Sequence, residues 1–349
     1  MRTIEEIDLA YRYLGNKTML ADWIVDVITS NVPRGAVVAD PMCGTAAVSE
    51  ALAIGGFSVI AADALCFPTI HAAARLLIKE EPAFEHFGGY SAALQTINEL
   101  DPQKGYFYRE FGAEGQPANR EKPRLYFSAE NAAKIDAIRE FIRKNYLTGN
   151  LSEREHIVLL QNLLLAVNSV ANISGTYGYF LSQLSKNALK SIELTPLNFI
   201  NTPGDHKVIR GPVSSTASLL QANAVYLDPP YTKRQYAGNY HILETIARED
   251  EPDAVGDGGL RPWKEDASAF CYRRTAGTAL NDVLSDLDVA DVFLSYSEDG
   301  QIQPDEIVDI LSNHGEVKLY QHRYTRYRSN GQARSDFIYE KLYHVHKGQ

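Results

Sequence analysis

Two short apolar runs near the N-terminus, Ala36-Val37-Val38-Ala39 and Phe57 to Ala62, each end on an aspartate, Asp40 and Asp63. Between them Gly44-Thr45-Ala46 opens a helix-forming stretch that runs to Ile54 and stops at Gly55-Gly56. Strands that are apolar without alternation are buried on both faces, and two of them joined through a helix lie parallel. The pattern predicts an α/β chain whose ligand sits at the C-terminal ends of a parallel sheet. Thr18 to Val32 reads as an amphipathic helix after a Gly15-Asn16 turn, closed by Pro33, and Leu65 to Lys79 as a third helix.

After Glu80 the texture changes. Residues 81–130 are rich in turns and aromatics, Ala129 to Asn145 reads as helix, and Ser152 to Asn172 is a long apolar helix with a Ser152/Glu155 capping box. Ser174 to Gly211 is polar and without clear period. The α/β texture returns with a strand at Ala222 to Leu227, a helix around Asn239 to Arg248 and a Gly-rich acidic loop, Asp250 to Gly259. Asp266 to Leu287 reads as helical, Val292 to Tyr296 as strand, Pro304 to Asn313 as helix, and Glu316 to Tyr320 and Lys341 to Val345 as strands. The expected organisation is one catalytic α/β domain, residues 1–80 and 216–349, interrupted by an inserted region at 81–215.

The 349 residues are 45% hydrophobic and 22% charged, which suits a soluble globular protein with a sizeable core. No run of 18 apolar residues occurs, and Met1 to Glu6 lacks the features of a signal peptide, so a cytoplasmic protein without a membrane span is expected. Cys43, Cys66 and Cys271 are too few and too scattered for a disulfide framework or a zinc site and read as buried thiols; no metal is expected. The net charge of −10 argues against a small, uniformly basic nucleic-acid binder but leaves room for a local basic face.

The chemistry is carried by Asp228-Pro229-Pro230-Tyr231, placed directly after an apolar strand. Two prolines cannot donate to a sheet ladder, so the strand ends there, and their fixed φ holds the Asp side chain and the following carbonyls rigidly. An aromatic amine is a poor nucleophile because its lone pair is delocalised into the ring. A carboxylate (Asp228) and a main-chain carbonyl (Pro229) that accept its two N–H bonds pull the nitrogen toward tetrahedral geometry, while Tyr231 stacks on the flat ring. Alone, the tetrapeptide also fits an ordinary proline-containing loop after a strand.

Taken with its partner motifs, the chain resembles the Dam-like DNA adenine methylases, in which Asp-Pro-Pro-Tyr is the catalytic motif and S-adenosylmethionine the methyl donor. Arg12-Tyr13-Leu14-Gly15-Asn16-Lys17 is similar to that family's aromatic-x-Gly-Gly-Lys segment, which places Tyr13 and Lys17 at the cofactor. Asp40-Pro41-Met42-Cys43-Gly44-Thr45-Ala46 is similar to its cofactor loop, with Asp40, Pro41 and Gly44 as the matching positions. Asp63 matches the acid that binds the cofactor ribose, and Asp228 lies near the methionine amino group in relatives. Asn16, Met42 and Ala46 depart from the pattern, where the family has glycine, phenylalanine and glycine. The resemblance implies a Rossmann-like S-adenosylmethionine-dependent methyltransferase fold with a largely helical target-recognition insertion at 81–215.

No Pro-Cys pair exists, which disfavours carbon methylation of cytosine. By resemblance, the leading Asp favours adenine over cytosine amino-methylation and over protein glutamine methylation. A duplex adenine must be flipped out at a cost of a few kcal/mol, and stacking on an aromatic returns about 1–3 kcal/mol. Lys233 and Arg234, Lys186 and Lys190, and Arg323, Arg326, Arg328 and Arg334 are candidates to grip DNA phosphates. The alternating run Arg323 to Arg328 equally fits a solvated strand edge, and His241 fits an ordinary helix-start residue better than a lid over the base. The expected partner is double-stranded DNA, with a cognate restriction endonuclease acting separately or a solitary methylase role. An RNA adenine methyltransferase and a non-catalytic DNA-binding relative remain as alternatives.

Overall fold

The structure, a computed structural model, describes residues 12–298, 300–325 and 337–348. The chain forms two compact units: Met1–Asn16, Leu65–Asn201 and Tyr236–Ala267 make one, and Lys17–Ala64, Thr202–Gln235 and Ser268–Gln349 the other.

The second unit is built on a sheet of seven strands among the described residues. These are β1 (Val37–Asp40), β2 (Ser58–Asp63), β3 (Lys207–Arg210), β4 (Ala224–Leu227), β5 (Asp291–Tyr296), β6 (Glu316–Thr325) and β7 (Phe337–His346). Their order is β3-β2-β1-β4-β5-β7-β6; β1 to β5 run parallel, and β7 is antiparallel to both neighbours. This is the Rossmann-like α/β sheet that the residues 36–63 require. The central strands are apolar on both faces because helices cover both sides. In the helix Ala276–Asp286, Ala276, Leu280, Val283 and Leu284 recur at helical spacing and join Val225, Leu227, Val292 and Leu294 of the sheet in one core cluster. Burying each leucine of this face stabilises by about 1.5–3 kcal/mol. The chain leaves β1 toward β2 and β3 on one side, and β4 and β5 lie on the other. The C-terminal ends of β1 and β4 are therefore the point where strand order reverses, the position at which open α/β sheets bind their ligands.

Two elements of this unit differ from the sequence expectation. β3 lies in the stretch that shows no period, because a short edge strand with Lys207 and Arg210 exposed at its ends has no apolar face to read. The helix expected from Asp266 begins only at Ala276, since the Ser268 hydroxyl caps the Phe270 N–H and closes a 3₁₀ turn at Ala269–Cys271.

The first unit is helical. Glu153–Val170 is buried on most of its circumference and starts with the expected capping box: the Ser152 N–H donates to Glu155 Oε2 at 2.8 Å and the Glu155 N–H to Ser152 Oγ. Cys66–Leu76 packs on it and on His241–Ala247. Here the Cys66 and Phe67 N–H groups, orphaned at a helix start, donate to the Glu244 carboxylate at 2.8 and 3.1 Å. These contacts put residues 65–80 and 236–267 with the helices, while residues 202–215, with β3, fall in the sheet unit, so the compact units do not follow the texture boundaries at 81 and 215. Apolar faces decide which body a helix joins, and composition does not reveal which partner a face will meet. Cys43 and Cys271 are buried, Cys66 is half-buried, and none of the three is in a disulfide. Among the described residues no helix is long and apolar enough to cross a membrane.

Candidate active site

The sheet unit gathers three acids at adjacent strand ends. Asp40 closes β1, Asp63 closes β2, and Asp228 follows β4. Asp40 is 1% exposed. Its Oδ2 accepts a 2.6 Å hydrogen bond from the Ser49 hydroxyl in the first turn of the helix Ala47–Ile54, and its Oδ1 has no partner. A fully buried carboxylate oxygen without a donor is costly, so it marks a place where a ligand N–H or O–H can be received. Asp63 Oδ2 accepts the Gly44 N–H at 3.1 Å, and the Cys43 N–H reaches the Ala62 carbonyl at 3.0 Å. The Pro41–Ala46 loop is thus tied to the end of β2.

Two departures from the family's loop pattern now have physical content. Ala46 sits at φ +58°, left-handed, which costs an alanine about 1–2 kcal/mol relative to the helical region and explains why glycine suits that position. Asn16 is different: the left-handed residue of its turn is Gly15 at φ +72°, and Asn16 is absent from the positive-φ residues, so it needs no special tolerance.

Asp228 is paired with Lys17, whose ammonium lies 2.9 Å from Asp228 Oδ1 and 3.5 Å from Glu340 Oε1. The same ammonium sits 5.4 Å from the centroid of the Tyr231 ring. The Tyr231 ring meets Tyr296 edge to face at 6.1 Å, and its carbonyl accepts the Gln301 N–H at 3.0 Å, so the loop after the two prolines is held from β5 and beyond. Burial alone would lower the Lys17 pKa, but Asp228 and Glu340 more than offset it and hold it above the ordinary lysine value. Burial raises the Asp228 carboxyl, and Lys17 works against that rise. Glu340, on β7, is raised by burial as well, with Lys17 opposing and Asp228 adding to it. Sequence reading missed Ser49 and Glu340. The available signal for Glu340 was an acid flanked in strand alternation by Ile338 and Leu342.

Other expected residues lie elsewhere. Tyr13 belongs to the helical unit, stacked on Tyr240 at 4.8 Å and close to Tyr236 and Phe67. Lys233 and Arg234 are exposed just after the motif, and Lys186 and Lys190 are exposed in the helical unit. Arg323 is exposed on β6, the sheet's edge strand. Arg326, Arg328 and Arg334 lie outside the described residues. His241 is the first residue of its helix and fully buried; its Nε2 is 2.9 Å from the Tyr177 carbonyl, and burial pushes its pKa down to about 3. It is a neutral core histidine.

The Asp40 carboxyl is pushed up to about 7, first by burial and then by Asp228 and Asp63, with the Ser49 hydroxyl opposing. The folded value lies above the unfolded 3.8, so the folded chain binds this proton more tightly and stability falls as pH rises from 3.8 toward about 7. Asp40→Asn removes that titration. Its stability relative to the parent is expected to rise with pH across this window, read as the urea midpoint at each end. An equal change at both ends would contradict the shift.

The Type II methyltransferase M.FokI of Planomicrobium okeanokoites is 31% identical over 341 residues, covering 96% of this chain and 52% of that protein. Modification methylase LlaI of Lactococcus lactis subsp. lactis is 32% identical over 333 residues, covering 92% and 52%. The chain thus spans about half the length of these two relatives, but nearly all of the Type II methyltransferase M.NlaIII of Neisseria lactamica, with 31% identity, 94% of this chain and 97% of that protein. Residues 13–339 match the D12 class N6 adenine-specific DNA methyltransferases, and the chain belongs to that family.

Proposed function

We propose that this chain transfers a methyl group from S-adenosylmethionine to the exocyclic 6-amino group of an adenine flipped out of duplex DNA. The observation that supports this most is the Asp228 carboxylate, next to two prolines and Tyr231, at the strand-order reversal beside Asp40.

Asp228 and the Pro229 carbonyl would accept the two amine N–H bonds, and Tyr231, braced edge-on by Tyr296, would stack on the base. Burial raises the Asp228 carboxyl, and Lys17 opposes that rise and so favours the charged form that an acceptor of amine protons needs. A carboxylate at this position can also take the proton that the nitrogen loses. The cofactor supplies an electrophilic methyl group. The donor set fits it: the unpartnered Asp40 Oδ1 can receive its amino group, Asp63 can accept ribose hydroxyls, and Gly44 allows close backbone approach. In this reading Pro41, Lys17 and Asp228 complete the cofactor set.

Lys233, Arg234, Arg323, Arg326 and Arg328 are assigned to the DNA phosphates, and the inserted region at 81–215 to target recognition. The relatives named as modification methylases favour a role beside a separately acting restriction endonuclease, in the cytoplasm. Methyl transfer from labelled cofactor to duplex DNA, with RNA in parallel, tests the proposal. Label in DNA supports it. Label only in RNA, or bound cofactor with label in neither polymer, overturns it.

A further inference from the structure

Glu340 is 4% exposed and sits on β7 in register between Tyr339 and Lys341. A buried glutamate gains nothing from packing that leucine would not supply, and its desolvation is expensive. Its ion-pair partner is Lys17, at 3.5 Å, and no hydrogen bond to Oε1 of Glu340 is made. Lys17 meanwhile approaches Asp228 to 2.9 Å. One buried ammonium is therefore shared, unequally, between two carboxylates.

That sharing has a consequence for Asp228. An ammonium has three donors and no acceptor, and with a single anionic partner it would give that partner all the hydrogen bonding its geometry allows. Lys17 already engages Asp228 Oδ1, and the amine must use a carboxylate oxygen of the same group. We propose that Glu340 is a positioning residue: it draws Lys17 partly away from Asp228 and keeps the Asp228 carboxylate open to the substrate amine. This rests on the reading of Asp228 as the group that receives the adenine amino group.

The inference is tested with Glu340→Gln in the full chain, by steady-state methyl transfer to duplex DNA across pH, with cofactor binding and thermal unfolding measured alongside. The groups that face Asp228 are Lys17 from the N-terminal segment, Asp40 from β1, Tyr226 from β4 and Glu340 from β7, with the Tyr231 ring against Lys17. Removing the Glu340 charge takes away a repulsion and a competitor for Lys17, so Asp228 ionises at lower pH. The acidic limb of kcat should move to lower pH, while kcat on the plateau falls by about tenfold to a hundredfold and cofactor affinity holds. Loss of packing alone would not move the limb. Should the glutamine variant fail to fold, Glu340→Asp carries the test, with the same changes in smaller measure because its carboxylate is withdrawn by one methylene. Parental kcat and an unmoved limb in the folded variant overturn the role of Glu340. A parent that binds cofactor but methylates no DNA overturns instead the functional reading on which that role rests.

Discussion

Asp228→Ala is expected to lose methyl transfer to duplex DNA by at least about a thousandfold while the chain stays folded. The two halves of this expectation have separate grounds. Transfer is lost because alanine cannot accept an amine N–H, and neither Pro229 nor Tyr231 can replace a carboxylate. Folding survives because Asp228 is a buried acid whose charged form is disfavoured, so its removal relieves a desolvation cost. Lys17 is not orphaned either, since Glu340 remains at 3.5 Å. Single-turnover transfer and thermal unfolding of the same preparation check both halves. Cofactor affinity should fall as well, since Asp228 is also placed near the methionine amino group. Transfer within a factor of about ten of the parent would remove Asp228 from its assigned role.

The parts of this site that could be read from sequence are those where one local rule decides the outcome. Asp40 and Asp63 close short, largely apolar runs, and such runs have few options besides central parallel strands. Asp228 precedes two prolines, which end a strand whatever surrounds it. The Ser152/Glu155 box marks a helix start from four residues alone. The parts that stayed hidden depend on pairing across long separations. Lys17 and Glu340 are more than three hundred residues apart in sequence yet 3.5 Å apart in space, and nothing local to β7 says which cation its glutamate will meet. Ser49 is one of many serines until the first turn of its helix is set against the end of β1. The membership of Cys66–Leu76 in the helical unit follows from the Glu244 carboxylate, 178 residues away, receiving its first N–H groups. Tyr13 shows the same limit, because its motif predicts a role and its stacking on Tyr240 is a tertiary outcome.

Lys17→Met is expected to be the most destabilising change at this site, and its cost should depend on pH. Methionine matches the apolar stem of lysine, so packing is largely kept, but Asp228 and Glu340 lose their shared cation. Breaking a buried pair from one side costs about 3–5 kcal/mol, because the partner is left charged and dry. Two carboxylates left together can escape part of that cost by taking up a proton. In the parent both folded pKa values already lie above their ordinary values despite Lys17, which opposes the rise, so without it they climb further. A raised folded carboxyl contributes stability at low pH that is lost as pH rises through the folded value. The parent's own lysine shift acts elsewhere: a folded lysine pKa above the unfolded 10.5 contributes fully below that value and does not vary across neutral pH. The deficit of the variant should therefore be small near pH 5 and approach its full size near about pH 8, where both acids must be charged. Urea unfolding of parent and variant at the two pH values measures it. A deficit of equal size at both would mean that Lys17 stabilises through packing and that its charge is not what the two acids need.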